Sequence, residues 1–156
     1  MTKDRLIGLG LAFSLGACAS TAITTDLVPS AQAAASATVR ALADAPRAIA
    51  PSGKAQVQHL ARGDNAYIGR LSLEPGAAVP EHQDATEEYI HILEGRGTIE
   101  IDGAHFEVEP GTTIYMPAKA RVRFTNGETK LVGLQVFAGP SPAAKYDTWT
   151  ALEEAR

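Results

Sequence analysis

The chain has 156 residues, of which 45% are hydrophobic and 21% charged, a balance typical of a globular protein with its own core. A single cysteine excludes a fold held together by internal disulfides. The formal net charge of -4 and the lack of a dense basic run argue against nucleic-acid binding.

The N-terminus is typical of an export signal. A short charged start precedes the apolar run 6–17, which is too short to span a bilayer and fits the core of a signal peptide. A Leu-Gly-Ala tripeptide then precedes Cys18. This arrangement resembles the lipobox of bacterial lipoproteins, and an ordinary secretory signal followed by an incidental cysteine is the alternative.

The lipobox resemblance implies a cellular location for the protein. Residues 1–17 would be removed, and Cys18 would be lipidated and would anchor the chain to a membrane. Residue 19 is Ala and not Asp, which in that family favours the outer membrane. We therefore expect a location in the bacterial cell envelope, at the outer membrane and facing the periplasm.

Residues 18–51 contain much Ala, Ser and Thr and no strand alternation, so we interpret them as a tether. A packed helix within residues 31–43 is the alternative, although the broad apolar stripe that packing requires is missing there. The folded domain is then expected over residues 52–156.

From residue 54 onward, short strands alternate with turn signals such as Pro-Gly, Asp-Gly and Asn-Gly. This pattern predicts an all-β domain with a single antiparallel sandwich or barrel, followed by a short C-terminal helix over residues 145–156. The predicted strands are 55–61, 67–73, 78–82, 88–93, 98–101, 105–108, 113–116, 121–124 and 131–137.

The segment 75–103 holds most of the candidate chemistry. His82, Asp84 and Glu88 have the same parity as Ile90 and Ile92, so the strand period of two places them on one face if the strand phase continues through the turn. Three ionisable groups at one end of an apolar face predict a pocket.

Gln135 lies on the later strand 131–137, in phase with apolar neighbours. It is either a hydrogen-bond donor to the pocket or a satisfied amide of the core. These two interpretations remain open from the sequence.

Two spacings resemble the motifs of the cupin family. The first motif, G-x5-H-x-H-x3-E-x6-G, is similar to Gly76, His82, Asp84, Glu88 and Gly95. The second motif, G-x5-P-x-G-x2-H-x3-N, is similar to Gly111, Pro117, Lys119, Val122 and Asn126.

The resemblance implies a small antiparallel jelly-roll barrel, in which three histidines and one glutamate usually hold a metal. His82 and Glu88 match that set, whereas Asp84 and Val122 stand where the other two histidines would be. The metal site is therefore degenerate, and the family also implies homodimerisation.

Three hypotheses for function follow. The first is a lipoprotein that binds a small molecule at the barrel mouth through His82, Glu88 and Gln135, with no metal or only a weakly bound one. The second is a metal-dependent oxygenase or isomerase in which His82, Asp84 and Glu88 hold one divalent metal, with Mn, Fe or Zn as candidates. In either case Glu88 and His82 are the candidate catalytic residues. The third is a non-catalytic interaction protein of the envelope.

Overall fold

The structure is a computed structural model, and it describes residues 37–152. This part of the chain contains eleven strands and two short 3-10 helices, Leu42–Asp44 and Ser141–Thr148. The strands are β1 (Arg47–Ile49), β2 (Ala55–Arg62), β3 (Tyr67–Leu73), β4 (Ala78–His82), β5 (Glu88–Glu94), β6 (Gly97–Ile101), β7 (Ala104–Val108), β8 (Thr113–Met116), β9 (Val122–Asn126), β10 (Leu131–Phe137) and β11 (Thr150–Leu152).

The strands form two antiparallel sheets. One sheet has seven strands in the order β11-β1-β2-β3-β10-β5-β8, and the other has four in the order β4-β9-β6-β7. Neighbours in these sheets are often distant in sequence, as in the pairs β3–β10 and β5–β10, which is typical of a jelly roll. The predicted all-β, single-barrel fold is confirmed.

The main core lies between the two sheets. On β9, Val122 and Phe124 are buried while Arg123 between them is exposed, so the side chains follow the strand period of two. Strand β8 alternates in the same way, with Ile114 and Met116 buried. Both sheets therefore supply apolar side chains to one cluster.

A second cluster of buried residues involves the 3-10 helix Ser141–Thr148. Tyr146 of this helix packs with Tyr67 and Phe137 of the seven-stranded sheet, with ring centroids of Tyr67 and Tyr146 6.0 Å apart. Trp149 follows the helix and packs against both clusters. These contacts attach the segment after β10 to the barrel.

The folded domain begins earlier than the predicted residue 52. Strand β1 pairs with β2 on one side and with β11 on the other, so the predicted tether is wrong for the residues of β1. Three residues are too few to show a periodic pattern in the sequence. The predicted signal peptide and Cys18 lie outside the described residues.

The C-terminal segment also differs from the prediction. The helix is a 3-10 helix over Ser141–Thr148, and Thr150–Leu152, predicted as helical, is the edge strand β11. Pairing with β1 holds β11 in the sheet, and this long-range contact overrides the local sequence signal. Within residues 37–152 no helix is long and apolar enough to cross a membrane.

Candidate functional site

The barrel encloses a cavity of about 500 Å³ that opens to solvent. Apolar side chains from both sheets line most of it, among them Leu71, Ile92, Ile99, Ile114 and Phe124. A cavity of this size is within the range of small-molecule sites in proteins. The predicted pocket is therefore present.

Three elements place the candidate ligands at this cavity. His82 ends β4 opposite Val122 of β9, and its Nδ1 lies 3.0 Å from the carbonyl oxygen of Pro80. Asp84 lies in the following turn, where its carbonyl oxygen accepts a 2.7 Å hydrogen bond from the backbone N–H of Lys119. Glu88 then begins β5 in the opposite sheet, so the site joins the two sheets.

The side chains of His82, Asp84 and Glu88 converge at the cavity, although they lie on β4, in the turn and on β5 of the facing sheet and not on one strand face. One ligand atom of each lies within 4.8 Å of those of the other two. Val122 lines the same cavity on the strand beside His82, and as an apolar residue it offers no donor. The three residues form a candidate metal site, and metal ligation by them stays a prediction.

Gln135 is a buried, hydrogen-bonded amide of the core that also lines the cavity, and its role as a donor to a ligand stays a prediction. Its side-chain N–H donates to Glu88 Oε1 over 2.5 Å, and its Oε1 accepts a hydrogen bond of 2.5 Å from the hydroxyl of Tyr146. The residues Glu88, Gln135 and Tyr146 are each no more than about 5% exposed. Their hydrogen bonds fix the orientation of the Glu88 carboxylate.

The environment of Glu88 favours its protonated form. Burial raises its pKa from 4.5 to about 7, and the nearby Asp84 carboxylate acts in the same direction. The charge of Lys145 and the hydrogen bond from Gln135 oppose this effect and lower the pKa. Glu88 can therefore donate or accept a proton near neutral pH.

A lysine from the C-terminal segment completes the polar cluster. The ammonium nitrogen of Lys145 lies 3.0 Å from Asp84 Oδ2. It also lies 4.7 Å from the ring centroid of Phe137, within the range of a cation–π contact. A positive charge is thus held against one of the two carboxylates.

The comparison with known families decides the class of this domain. Residues 69–137 match the family model described as a cupin domain. The chain contains a cupin domain. The two motif resemblances in the sequence therefore identify the correct family.

Solved cupin structures have the same fold. An RmlC-like cupin from Shewanella frigidimarina superposes with a TM-score of 0.61 at 14% identity, covering 67% of this chain and 92% of that one. The polyketide cyclase RemF from Streptomyces resistomycificus gives a TM-score of 0.59 at 20% identity, covering 65% and 79%. A predicted oxalate decarboxylase from Thermotoga maritima gives 0.58 at 23% identity, covering 65% and 99%. At these identities the likeness shows the fold alone.

Curated relatives match over shorter stretches. An uncharacterized protein of Methanocaldococcus jannaschii is 46% identical over 41 residues, which is 26% of this chain and 33% of that protein. The polyketide synthase CurC of Streptomyces cyaneus is 30% identical over 61 residues, 38% of this chain and 40% of that protein. The chain thus matches well under two thirds of either relative's length.

The residues of this cupin fit the usual metal of the family poorly. Only His82 and Glu88 keep the family's ligand types, and Val122 supplies no donor. The remaining ligand candidate, Asp84, already contacts the ammonium group of Lys145. One oxygen of Glu88 is likewise engaged by Gln135. The residues present therefore do not reproduce the four-ligand metal site of the family.

The sequence does not predict two residues of the cupin cavity, Lys145 and Tyr146. Both belong to the 3-10 helix after β10, which the sequence predicts only as the start of a C-terminal helix. Their place depends on how this segment packs on the sheet, and no local pattern encodes that. The pairing of a lysine with the aspartate that replaces a histidine becomes visible only in the structure.

Proposed function

We propose that this cupin barrel binds a small, largely apolar molecule that carries a polar group. The observation that supports the proposal is the cavity of about 500 Å³, whose lining is mainly apolar. Six polar lining residues form one cluster: His82, Asp84, Glu88, Gln135, Lys145 and Tyr146. An apolar body would fill the cavity, and the cluster would bind the polar group.

The cluster favours a neutral polar group such as a hydroxyl or a carbonyl. The charges of Asp84 and Lys145 offset one another, and a protonated Glu88 adds none. An anionic group would face the Asp84 carboxylate at low dielectric, which is unfavourable. His82, Glu88 and Gln135 are the proposed contacts to the ligand, and Glu88 is the proposed proton donor or acceptor if the ligand reacts.

The names of two similar proteins are in line with such a ligand. One is called a polyketide synthase and another a polyketide cyclase. Polyketides are carbon skeletons with scattered oxygens, a composition that suits an apolar cavity with a few polar contacts.

The only tryptophan of the chain provides the test. Trp149 lines the cavity, so its fluorescence reports directly on a ligand there. Octanol and octanoate serve as probes, because they share an apolar body, differ in the charge of the polar group and do not absorb with tryptophan. We expect saturable changes in Trp149 emission, with octanol binding more tightly than octanoate.

Two neighbouring residues of β5 supply a variant and its control. Ile92 is buried and lines the cavity, whereas Leu93 is exposed on the other face of the strand. The larger side chain in Ile92→Phe would occupy part of the cavity. We therefore expect the affinity for octanol to fall by about tenfold, a change of about 1.4 kcal/mol in the binding free energy. Leu93→Phe should bind as the natural protein does. No saturable response of the natural protein, or equal binding by Ile92→Phe, would overturn the proposal.

A metal-dependent cupin enzyme is the second candidate. The convergence of His82, Asp84 and Glu88 within 4.8 Å favours it. Protein purified without a histidine tag from metal-replete cells would then carry about one equivalent of a divalent metal. A content below about a tenth of an equivalent would exclude this candidate.

We further propose that the domain is lipid-anchored in the bacterial envelope through Cys18. The support is the apolar run followed by Leu-Gly-Ala-Cys in the sequence. Metabolic labelling with a palmitate analogue should mark the natural protein, and membrane fractionation should recover the labelled protein in the outer membrane. Cys18→Ser should lose the label, and a label that persists in this variant would contradict the proposal.

A further inference from the structure

We propose that the ammonium group of Lys145 is the resident cation of this cupin site and takes the place of a metal. The proposal starts from two carboxylates, Asp84 and Glu88, that converge at the wall of an apolar cavity. Like charges in such a place require a compensating cation or a proton. Lys145 supplies that cation at 3.0 Å from Asp84.

The ammonium group is held in place by the surrounding structure. Its helix is fixed by Tyr146, which is buried and donates a hydrogen bond to Gln135. The Lys145 nitrogen lies over the ring of Phe137 at 4.7 Å and at 5.8 Å from the ring centroid of Tyr146. A lysine with two aromatic rings and a carboxylate around its charge is pre-organised, unlike a solvated surface lysine.

The ion pair is also partly shielded from solvent. The side chain of Asp84 is 16% exposed and that of Lys145 is 36% exposed. The surface pair Lys130–Glu74 has the same separation of 3.0 Å, but its side chains are 48% and 39% exposed. The Lys145 pair is therefore less screened by water than a typical surface pair.

The residues that stand in place of the family's metal-binding histidines suit an ammonium group better than a metal. Asp84 stands where the family motif has a histidine, and its carboxylate attracts Lys145, whereas a metal-binding imidazole would not. A metal and Lys145 would both require the carboxylate of Asp84, and their positive charges repel one another, so they compete for the site. With Val122 contributing no donor, the lysine has the advantage.

The experiment removes the ammonium group and measures metal binding. Lys145→Met keeps the length and apolar stem of the side chain and eliminates its charge. Chelator-treated protein without a histidine tag is titrated with Zn²⁺ and with Mn²⁺ by calorimetry. We expect Lys145→Met to bind Zn²⁺ at least about tenfold more tightly than the natural protein. Lys130→Met removes the surface ion pair and should leave metal binding unchanged.

A second substitution locates the gained metal. Adding Asp84→Ala to Lys145→Met should abolish the gain, because the freed carboxylate is then missing. Lys145→Arg keeps the positive charge and should exclude metal as the natural protein does. If Lys145→Met fails to fold, Lys145→Gln, which keeps a hydrogen-bond donor without charge, replaces it.

Two outcomes would overturn the inference. One is stoichiometric, tight metal binding by the natural protein that Lys145→Met does not improve. The other is a folded Lys145→Met or Lys145→Gln that gains no affinity for either metal. The inference does not depend on the proposed ligand, since metal calorimetry and octanol fluorescence are separate readouts.

Discussion

The side-chain amide nitrogen of Gln135 lies 2.5 Å from Oε1 of Glu88, and both residues are buried. Gln135 is on β10 and Glu88 is at the start of β5, which are neighbouring strands. The hydroxyl of Tyr146 holds the other end of the amide. A chain of hydrogen bonds therefore links the C-terminal segment to the carboxylate in the cavity.

Gln135→Leu should destabilise the protein by about 1–3 kcal/mol, because Glu88 and Tyr146 would each lose a buried hydrogen-bond partner. Urea denaturation monitored by circular dichroism measures the change in the free energy of unfolding. Gln83→Leu, at an exposed position in the turn before β5, should change it by no more than about 0.5 kcal/mol. Equal effects of the two substitutions would show that the buried network contributes nothing to stability.

The stability of the protein should fall as pH rises from about 4.5 to about 7. Burial raises the pKa of Glu88 to about 7 from the value of 4.5 that is normal for a glutamate. In this window the folded state keeps a proton that the unfolded state has released, so higher pH favours unfolding. The loss is on the order of 3 kcal/mol above about pH 7.

Glu88→Gln isolates this contribution, because the amide does not titrate. Urea denaturation should show that the stability of the variant relative to the natural protein increases as the pH rises from about 5 to about 8. Glu128→Gln, at an exposed position in the turn before β10, should show no such gain. A difference between Glu88→Gln and the natural protein that is the same at both pH values would contradict the assignment.

The sequence predicts the strands that have strong alternation and clear turns. The bounds of β3, β4, β8 and β10 agree with the structure at every residue. The segment predicted to form a pocket does line one, but His82, Asp84 and Glu88 meet there because two sheets face each other across the turn and not because one strand period runs through it. Local periodicity is therefore enough for these strands, whereas the arrangement of the site depends on how the two sheets pack.

Features that depend on long-range packing are not predictable in this way. Strands β1 and β11 are three residues each and pair with one another from opposite ends of the domain. Lys145 and Tyr146 reach the cavity only because their 3-10 helix packs on the sheet. Neither pairing nor packing leaves a local signal, so the sequence does not predict Lys145 at the site.

Lys119→Gly should stabilise the protein. Lys119 stands where the cupin motif has a glycine, and its φ of 66° is in the left-handed region that disfavours side chains. Relief of that strain is worth about 1–2 kcal/mol, and the added freedom of glycine in the unfolded chain costs about 0.5–1 kcal/mol. We expect a net gain of up to about 1.5 kcal/mol in the free energy of unfolding.

Lys54→Gly is the matched control for Lys119→Gly. Lys54 is exposed and has no positive φ, so glycine there should only destabilise. The backbone N–H of Lys119 also holds the turn of Asp84, and glycine preserves that hydrogen bond. A loss of stability in Lys119→Gly would mean that its side chain makes contacts that outweigh the strain.

Restoring the two missing histidines should create a metal site. Val122 is opposite His82 in the β4–β9 pairing and lines the cavity. The double variant Asp84→His, Val122→His therefore brings three imidazoles and Glu88 together, and it also removes the carboxylate that attracts Lys145. We expect Zn²⁺ to raise the free energy of unfolding by about 2.7 kcal/mol at a metal concentration one hundred times the dissociation constant.

The control combines Asp84→His with Arg123→His. Arg123 follows Val122 on β9 but is exposed on the opposite face, so an imidazole introduced at this position cannot reach the cavity. This control has the same number of histidines, so any non-specific binding of Zn²⁺ to them is matched. Thermal unfolding with and without Zn²⁺ should show stabilisation only in the variant with His at position 122. If Zn²⁺ raised the unfolding temperature of both variants equally, stabilisation would depend on the number of imidazoles and not on their placement. The cavity would then not support a four-ligand site.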